Sequence, residues 1–242
     1  MGRTLLIPAA GEGTRLRPAT LTRPKCLVDV AGVPLLGRQL AVAAGRFDRV
    51  VLVTGYREAD IRDYVAAAKP PMTVDFVTNA DWATTNNTHS LWLGLKALGE
   101  GDMVLLDGDL YLPEAAMDRL LGAPGGIKVA VEREHVGEVR LTVDADRRVL
   151  TIGKHVPREG AWGESVGLQY FSDRATRGLL EFVEGLVNEG GSGVFYEMAF
   201  ERMIRAGWEF AAVDATSTPC QEIDTPEDLR RAEELASKEG VR

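Results

Sequence analysis

Near the N-terminus, the string Ala9-Ala10-Gly11-Glu12-Gly13-Thr14-Arg15-Leu16-Arg17-Pro18 combines small residues, two glycines and an arginine just after a short apolar run. Small residues let backbone N–H groups approach phosphate oxygens closely, and a guanidinium adds a bidentate, charge-assisted contact. Lys25 follows ten residues after Arg15, making a denser anion-binding set than a plain glycine turn requires. A dinucleotide fingerprint would want a third glycine where Leu16 stands, and Arg17-Pro18 would interrupt its helix. The Gly-x4-Gly-Lys-Ser/Thr string of a P-loop does not occur.

Acidic residues form the second set. Val104-Leu105-Leu106-Asp107-Gly108-Asp109 reads as a buried strand ending in two acids, and Glu222-Ile223-Asp224-Thr225-Pro226 places two more before a helix. Several carboxylates brought together are costly unless a cation or hydrogen bonds compensate. Both motifs therefore fit a metal site, and solvated acids on a surface loop are the alternative. The histidines, His89, His135 and His155, have no metal-ligand spacing. In Trp82-Ala83-Thr84-Thr85-Asn86-Asn87-Thr88-His89-Ser90-Leu91-Trp92, paired asparagines precede a helix that Thr88 or Ser90 would cap. Asparagine offers a donor and an acceptor to a base edge, and it also simply favours turns.

The elements that must position these groups alternate as βαβ units do. Strands are expected at Thr4 to Pro8, Arg49 to Thr54, Thr73 to Thr78 and Met103 to Leu106, with helices at Leu35 to Gly45, Glu58 to Ala68 and Ser90 to Leu98. The loop and the first acids then lie beyond the carboxyl ends of parallel strands, where open α/β sheets bind nucleotides. Past Asp109 the rhythm changes. Pro113 opens a helix to Leu121, followed by strands at Ile127 to Glu132, Glu138 to Val143, Val149 to Ile152 and Ser165 to Phe171. Helices at Arg174 to Val187 and Phe195 to Ala206 and a strand at Phe210 to Val213 complete a mixed sheet. Thr225 is the expected N-cap of a closing helix begun by Pro226 and expected to pack back on the sheet. Gly185, Gly190, Gly191 and Gly193 mark a loop or lid.

The 242 residues suit one domain with a sizeable core. The 36 acidic and 28 basic residues give a formal net charge of -8, which argues against a sequence-independent grip on nucleic acid. No apolar segment is long enough to span a membrane. The run from Leu5 to Ala10 is shorter than a signal sequence needs, and Cys26 and Cys220 are expected to be reduced thiols. A cytoplasmic location is the expectation.

The loop AAGEGTRLRP with Pro24-Lys25-Cys26-Leu27 resembles the signature of nucleotidyltransferases that join an NTP to a phosphorylated sugar or small alcohol. The Asn86-Asn87 pair followed by Ser90-Leu91, the D-x-D strand end, the aromatic-acid pair Tyr196-Glu197 and the closing Glu222-Ile223-Asp224-Thr225 resemble the CTP:phosphocholine and phosphonate cytidylyltransferase branch. That resemblance implies an α/β, single-domain Rossmann-like fold with a mixed, mostly parallel sheet flanked by helices. It implies a nucleotide-binding part over about 1–110, an acceptor-binding part over about 111–225 and a closing helix at 226–238. It further implies that Arg15 and Lys25 neutralise the triphosphate. Ala9, Ala10, Gly11, Gly13, Thr14, Asn86, Asn87, Ser90 and Asp107 would line the nucleotide, and Asp109 and Asp224 would share one Mg2+. CTP and a small phosphate or phosphonate are the implied substrates. The acceptor phosphate is itself the nucleophile, so no activated Ser or Cys is required.

For the acceptor, Tyr196 and Glu222 fit a trimethylammonium pocket, because such a cation is held by aromatic faces and an acid. Val139 stands where the branch has its pocket tryptophan; Trp162, from a neighbouring loop, either supplies that face or, as a lone loop tryptophan more often does, simply packs. Glu138, Glu197 and Glu222 suit a primary ammonium, and Arg140 suits a second anionic group. The balance points to a phosphonate or phosphoamine acceptor ahead of phosphocholine. A sugar-1-phosphate nucleotidyltransferase and a non-catalytic nucleotide-binding module are the alternatives.

Overall fold

The computed structural model describes residues 2–134 and 137–239. The first half contains β1 (Thr4–Ala9), a short hairpin of β2 (Asp29–Val30) and β3 (Val33–Pro34), α1 (Leu35–Ala43), β4 (Arg49–Thr54), α2 (Glu58–Ala68), β5 (Thr73–Thr78), α3 (Asn87–Leu98) and β6 (Met103–Leu106). The second half continues with β7 (Leu110–Tyr111), α4 (Glu114–Gly122), β8 (Ile127–Glu132), β9 (Arg140–Val143), β10 (Val149–Gly153), β11 (Gly163–Phe171) and α5 (Asp173–Asn188). It ends with α6 (Glu197–Arg205), β12 (Ala211–Asp214), β13 (Gln221–Glu222) and α7 (Pro226–Glu239).

β1 is central, parallel to β6 on one side and to β4 on the other, with β5 parallel beyond β4. β11 then enters antiparallel to β6, β8 and β9, and β12 pairs parallel with β8. The apolar runs of β1, β4 and β6 are continuous because both faces of the sheet are covered. Leu5 and Ile7 join one core with α1, α2 and α4, whereas Leu6 joins the other with α3, α5 and α6. Val50 and Leu52, against Val51 and Val53, divide the same way.

Several local expectations are corrected. α3 starts at Asn87 because Asn86 is its N-cap, its Oδ1 accepting the Asn87 N–H at 2.8 Å; neither Thr88 nor Ser90 caps it. β9 starts at Arg140, two residues after the expected Glu138. α7 does not pack on the main sheet, both of whose faces are already covered. Its Ala232 and Ala236 bury against Leu16, Val30, Tyr111 and Ile223 in a third cluster. Thr225 and Asp228 cap α7 reciprocally: Asp228 Oδ2 accepts the Thr225 N–H at 2.8 Å and Thr225 Oγ1 accepts the Asp228 N–H at 3.3 Å. Among the described residues no helix is long and apolar enough to cross a membrane. Cys26 and Cys220 are not joined in a disulfide.

Gly108 fixes how the β6 end meets β1. Its N–H donates to the Pro8 carbonyl at 3.2 Å, and a Cβ there would lie 2.5 Å from that oxygen and 3.0 Å from Ala9 Cβ. The obstacle is backbone in the middle of the sheet, which cannot swing aside as a side chain can. Gly108→Ala is therefore expected to lower unfolding free energy by about 1–3 kcal/mol, read as a lower urea midpoint. An unchanged midpoint would contradict the close approach.

Candidate active site

Gly13 has a left-handed backbone (φ 66°), and a Cβ there would lie 2.9 Å from Lys25 Cβ. A glycine is required on both counts, and it lets the Lys25 stem lie against the loop. Thr20 Oγ1 donates to the Gly13 carbonyl at 2.9 Å and pins the turn.

Carboxylates from distant parts of the chain meet the lysine here. β13 pairs antiparallel with β7, and the Ile223 N–H donates to the Asp109 carbonyl at 3.0 Å, so the late acids arrive beside the β6 end. Asp109, Glu222 and Asp224 each offer a carboxylate oxygen, all within 4.8 Å of one another. Lys25 Nζ donates to Asp109 Oδ2 at 2.7 Å and to Asp224 Oδ1 at 2.6 Å, and Arg15 Nη2 donates to Asp224 Oδ2 at 2.6 Å. These all-oxygen donors match the preference of hard divalent cations such as Mg2+. The Lys25 ammonium bridging two of them shows that the cluster accepts a cation.

Electrostatics follow from this crowding. Burial would lower the Lys25 pKa, but Asp109 and Asp224 more than offset it and hold the ammonium above its ordinary value. Asp224 is disfavoured as an anion by burial, yet Lys25 and then hydrogen bonding pull it below the usual carboxylate range. One flank of Glu222 opens to solvent; even so, lost hydration around its carboxyl, then the charges of Asp109, Asp224 and Asp107, push it up to about 9. Burial, then Asp109 and Glu197, raise Asp107 well above its ordinary value.

Two cavities share Arg15, Glu222 and Asp224 on their walls. The smaller, about 340 Å³, is bordered by Ala9, Gly11, Gly13 and Thr14 of the loop, by Asn86 and Asn87, and by Lys25, Asp107 and Asp109. Ala10 turns away from it, its carbonyl accepting the Tyr56 N–H at 2.9 Å. Ser90 is buried, its Oγ accepting from Asn79 Nδ2 at 3.0 Å, and does not border the cavity. The glycine-rich segment before α6 docks on the start of α3: Asn86 N–H donates to the Ser192 carbonyl at 2.8 Å and Thr88 Oγ1 to the Val194 carbonyl at 2.7 Å. Phe195, which sequence reading passed over, borders the smaller cavity.

The larger cavity, about 930 Å³, carries Glu132, Glu134, Glu138, Glu164 and Glu222. Glu132 and Glu164 were not singled out from sequence. They sit directly opposite each other on β8 and β11, an unusual pairing of like charges that only strand register reveals. Glu164 takes the N–H groups of Gly137 and Glu138, both at 2.7 Å. Glu138 pairs with Lys154 at 2.5 Å.

Other acceptor expectations are corrected. Arg140 spends its guanidinium on the carbonyls of Val156 (2.5 Å), Gly137 (2.7 Å) and Lys154 (2.9 Å), clamping the loops around β9 and β10. Tyr196 is fully buried, and its hydroxyl lies 2.9 Å from both carboxylate oxygens of Asp107. Glu197 is buried outside both cavities, and Trp162 packs on the core with Arg133 4.7 Å over its ring. His89 and His155 border neither cavity; His135 lies outside the described residues.

Burial pushes the Glu197 carboxyl up to about 7, and among the described residues nothing hydrogen-bonds its Oε2. The folded protein thus holds this proton more tightly than the unfolded chain. Stability from this group is complete below about pH 4.5 and is lost as pH rises through about 7. Glu197→Gln should raise unfolding free energy at pH 8 by up to roughly 3 kcal/mol and much less at pH 4.5. Urea denaturation at the two pH values checks this, and an equal gain at both would contradict it.

A profile of the MobA-like NTP transferase domain matches residues 5–176. The CMP-5'-(3-aminopropyl)phosphonate synthase of Streptomyces rubellomurinus is 30% identical over 244 residues, which cover 94% of this chain and 38% of that protein. The bifunctional IPC transferase and DIPP synthase of Rubrobacter xylanophilus is 32% identical over 233 residues, covering 94% of this chain and 50% of that protein. This chain therefore spans half or less of the length of these two relatives. The solved CTP:phosphocholine cytidylyltransferase from Streptococcus pneumoniae superposes with a TM-score of 0.78 at 22% identity, over 98% of this chain and 100% of that one, a likeness of fold. With a domain match over most of its length and the glycine loop, Lys25 and strand-end acids inside or beside it, the chain belongs to the MobA-like NTP transferase family.

Proposed function

We propose that this protein transfers CMP from CTP, with Mg2+, to a small phosphonate or phosphate that carries a primary ammonium group. The observation that supports this best is the meeting of two cavities at Arg15, Glu222 and Asp224. One has the glycine loop and Lys25, suited to a triphosphate; the other has an acidic wall, suited to a cation. Chemistry at their junction would have one acceptor oxygen attack the α-phosphorus in line. A new P–O bond forms, the bond to the β-phosphate oxygen breaks, and pyrophosphate leaves with that electron pair. The names of the Streptomyces and Streptococcus proteins favour a cytidine nucleotide and an amino-phosphonate or phosphocholine acceptor.

Of this chain's residues, the loop N–H groups bind phosphate oxygens, and Lys25 and Arg15 neutralise charge that builds on the phosphates in the transition state. Asp109 and Asp224, with Glu222 beside them, are the groups to hold Mg2+, which supplies charge neutralisation to the phosphates when bound. Glu222 is thus reassigned from the acceptor pocket to the metal cluster. Among the described residues bordering the larger cavity there is no aromatic side chain. That favours a primary ammonium, which hydrogen-bonds to carboxylates, over a trimethylammonium group, which needs ring faces. The nucleotide-binding part is assigned to about 1–110, the acceptor part to about 111–225, with α7 closing the site.

The experiment is a pyrophosphate-release assay with CTP, UTP, ATP, GTP and TTP against 2-aminoethylphosphonate, 3-aminopropylphosphonate, phosphoethanolamine, phosphocholine and a sugar 1-phosphate. CTP with an amino-phosphonate or phosphoethanolamine should be the best pair; no release with any combination would sink the enzymatic reading. Chelation by EDTA should abolish release and added Mg2+ restore it. Lys25→Ala and Asp109→Asn should each lower kcat/KM by about 100-fold or more, the usual scale for removing a group that stabilises transition-state charge, measured at a temperature where circular dichroism shows the variant folded. Undiminished turnover in either variant would remove that residue from the site.

A further inference from the structure

The paired asparagines look equivalent in sequence, but the structure gives them different jobs. A backbone N–H can only donate, so the side-chain atom it meets must be the amide oxygen, which fixes the orientation of both amides. Asn86 Oδ1 accepts the Asn87 N–H at 2.8 Å, its own N–H goes to the Ser192 carbonyl at 2.8 Å, and its Nδ2 lies 3.4 Å from the Gly193 carbonyl. Asn86 is thereby used up in capping α3 and in seating the glycine-rich segment.

Asn87 differs. Its Oδ1 accepts the Tyr196 N–H at 3.2 Å, and the Tyr196 hydroxyl is itself anchored on Asp107. Among the described residues no group accepts from Asn87 Nδ2, and the residue borders the smaller cavity together with Gly11 and Gly13 of the loop. With Oδ1 turned to the Tyr196 N–H, the atom of Asn87 left without a partner among the described residues is the donor Nδ2.

We propose that Asn87 selects cytosine through that single donor, Nδ2 giving a hydrogen bond to ring N3, while Asn86 reads no base. The inference rests on the cytidylyl-transfer reading and names its specificity determinant. Cytosine N3 carries a lone pair. Uracil and thymine have N3–H and guanine has N1–H at the matching edge, so each would set donor against donor. Once a base covers the half-buried Asn87, a donor left facing another donor loses the bond and the hydration it had, which discriminates more strongly than shape alone.

The test compares CTP, UTP and 3-deaza-CTP, whose ring N3 is replaced by C–H, by Mg2+-dependent binding and by kcat/KM on the wild-type protein. UTP and 3-deaza-CTP should each be poorer than CTP by roughly 10- to 100-fold. Asn87→Asp keeps an oxygen for the Tyr196 N–H and puts an acceptor where Nδ2 was. It should shrink the CTP/UTP ratio by at least roughly 10-fold, chiefly by improving UTP. Asn86→Asp preserves the cap, since Asp caps as well as Asn, and should leave that ratio within about twofold. If CTP is turned over but 3-deaza-CTP serves equally well, this assignment is overturned while the cytidylyl-transfer reading stands. If CTP neither binds nor reacts, both fall. The wild-type comparison decides the matter even should Asn87→Asp fail to fold.

Discussion

One ammonium group, Nζ of Lys25, holds together segments that lie 84 and 199 residues apart in sequence. Asp109, Glu222 and Asp224 crowd within 4.8 Å of one another, and like charges that close cannot all remain ionised without a cation among them. Much of the architecture serves this contact. Gly13 has no side chain, so the Lys25 stem can pass the loop; Gly108 lets the β6 end press on β1; the two-residue strands β7 and β13 bring Asp224 to Asp109. The third apolar cluster under α7 then fixes the chain that carries Glu222 and Asp224, through Ile223 between them. On the proposed reading these carboxylates would hold a metal ion that supplies charge neutralisation, with Lys25 beside it on the wall of the smaller cavity.

How much of this could be read from sequence depends on whether a signal is local. The strands β1, β4, β5 and β6 and the loop after β1 were legible because apolar runs, glycines and Arg15 lie within a few residues of one another. The carboxylate motifs were legible as acids at element ends. What was hidden is the pairing of β7 with β13, since strands of two residues have no period to detect and only the fold brings them together. Glu132 facing Glu164 was hidden for the same reason, because strand register is not written in either strand alone. Asn86 as the cap of α3 was misread as Thr88 or Ser90, all three being good cap residues within one turn. Arg140 was misread because a free guanidinium and one spent on three carbonyls look identical in sequence.

Tyr196 shows how a resemblance can identify a residue and misplace its work. A tyrosine hydroxyl that is fully buried needs a partner. Asp107, whose own carboxylate is disfavoured by burial and by Asp109, supplies one. The same residue's N–H holds Asn87. Tyr196 therefore ties the first turn of α3 to the β6 end from the start of α6, and joins Asn87, on the wall of the smaller cavity, to the loop that carries Asp109. It borders neither cavity, and on the proposed reading it acts by positioning Asn87 and Asp107.

The net charge of -8 acquires a direction once the cavities are compared. On the proposed reading, an acceptor with an anionic phosphonate at one end and an ammonium at the other meets opposite fields at the two ends of the larger cavity. Arg15 stands at the junction with the smaller cavity, and Lys25 lies on the far side of Asp224. Glu132, Glu134, Glu138 and Glu164 stand along the acidic wall. Such a molecule is oriented by charge before any close contact forms, with its nucleophilic oxygen toward the α-phosphate. A phosphate lacking the ammonium would bring no partner of its own to these carboxylates, of which Glu138 is already paired with Lys154. On that reading, acidity that argues against a polyanion as partner would act, at this scale, as a filter for a small dipolar one.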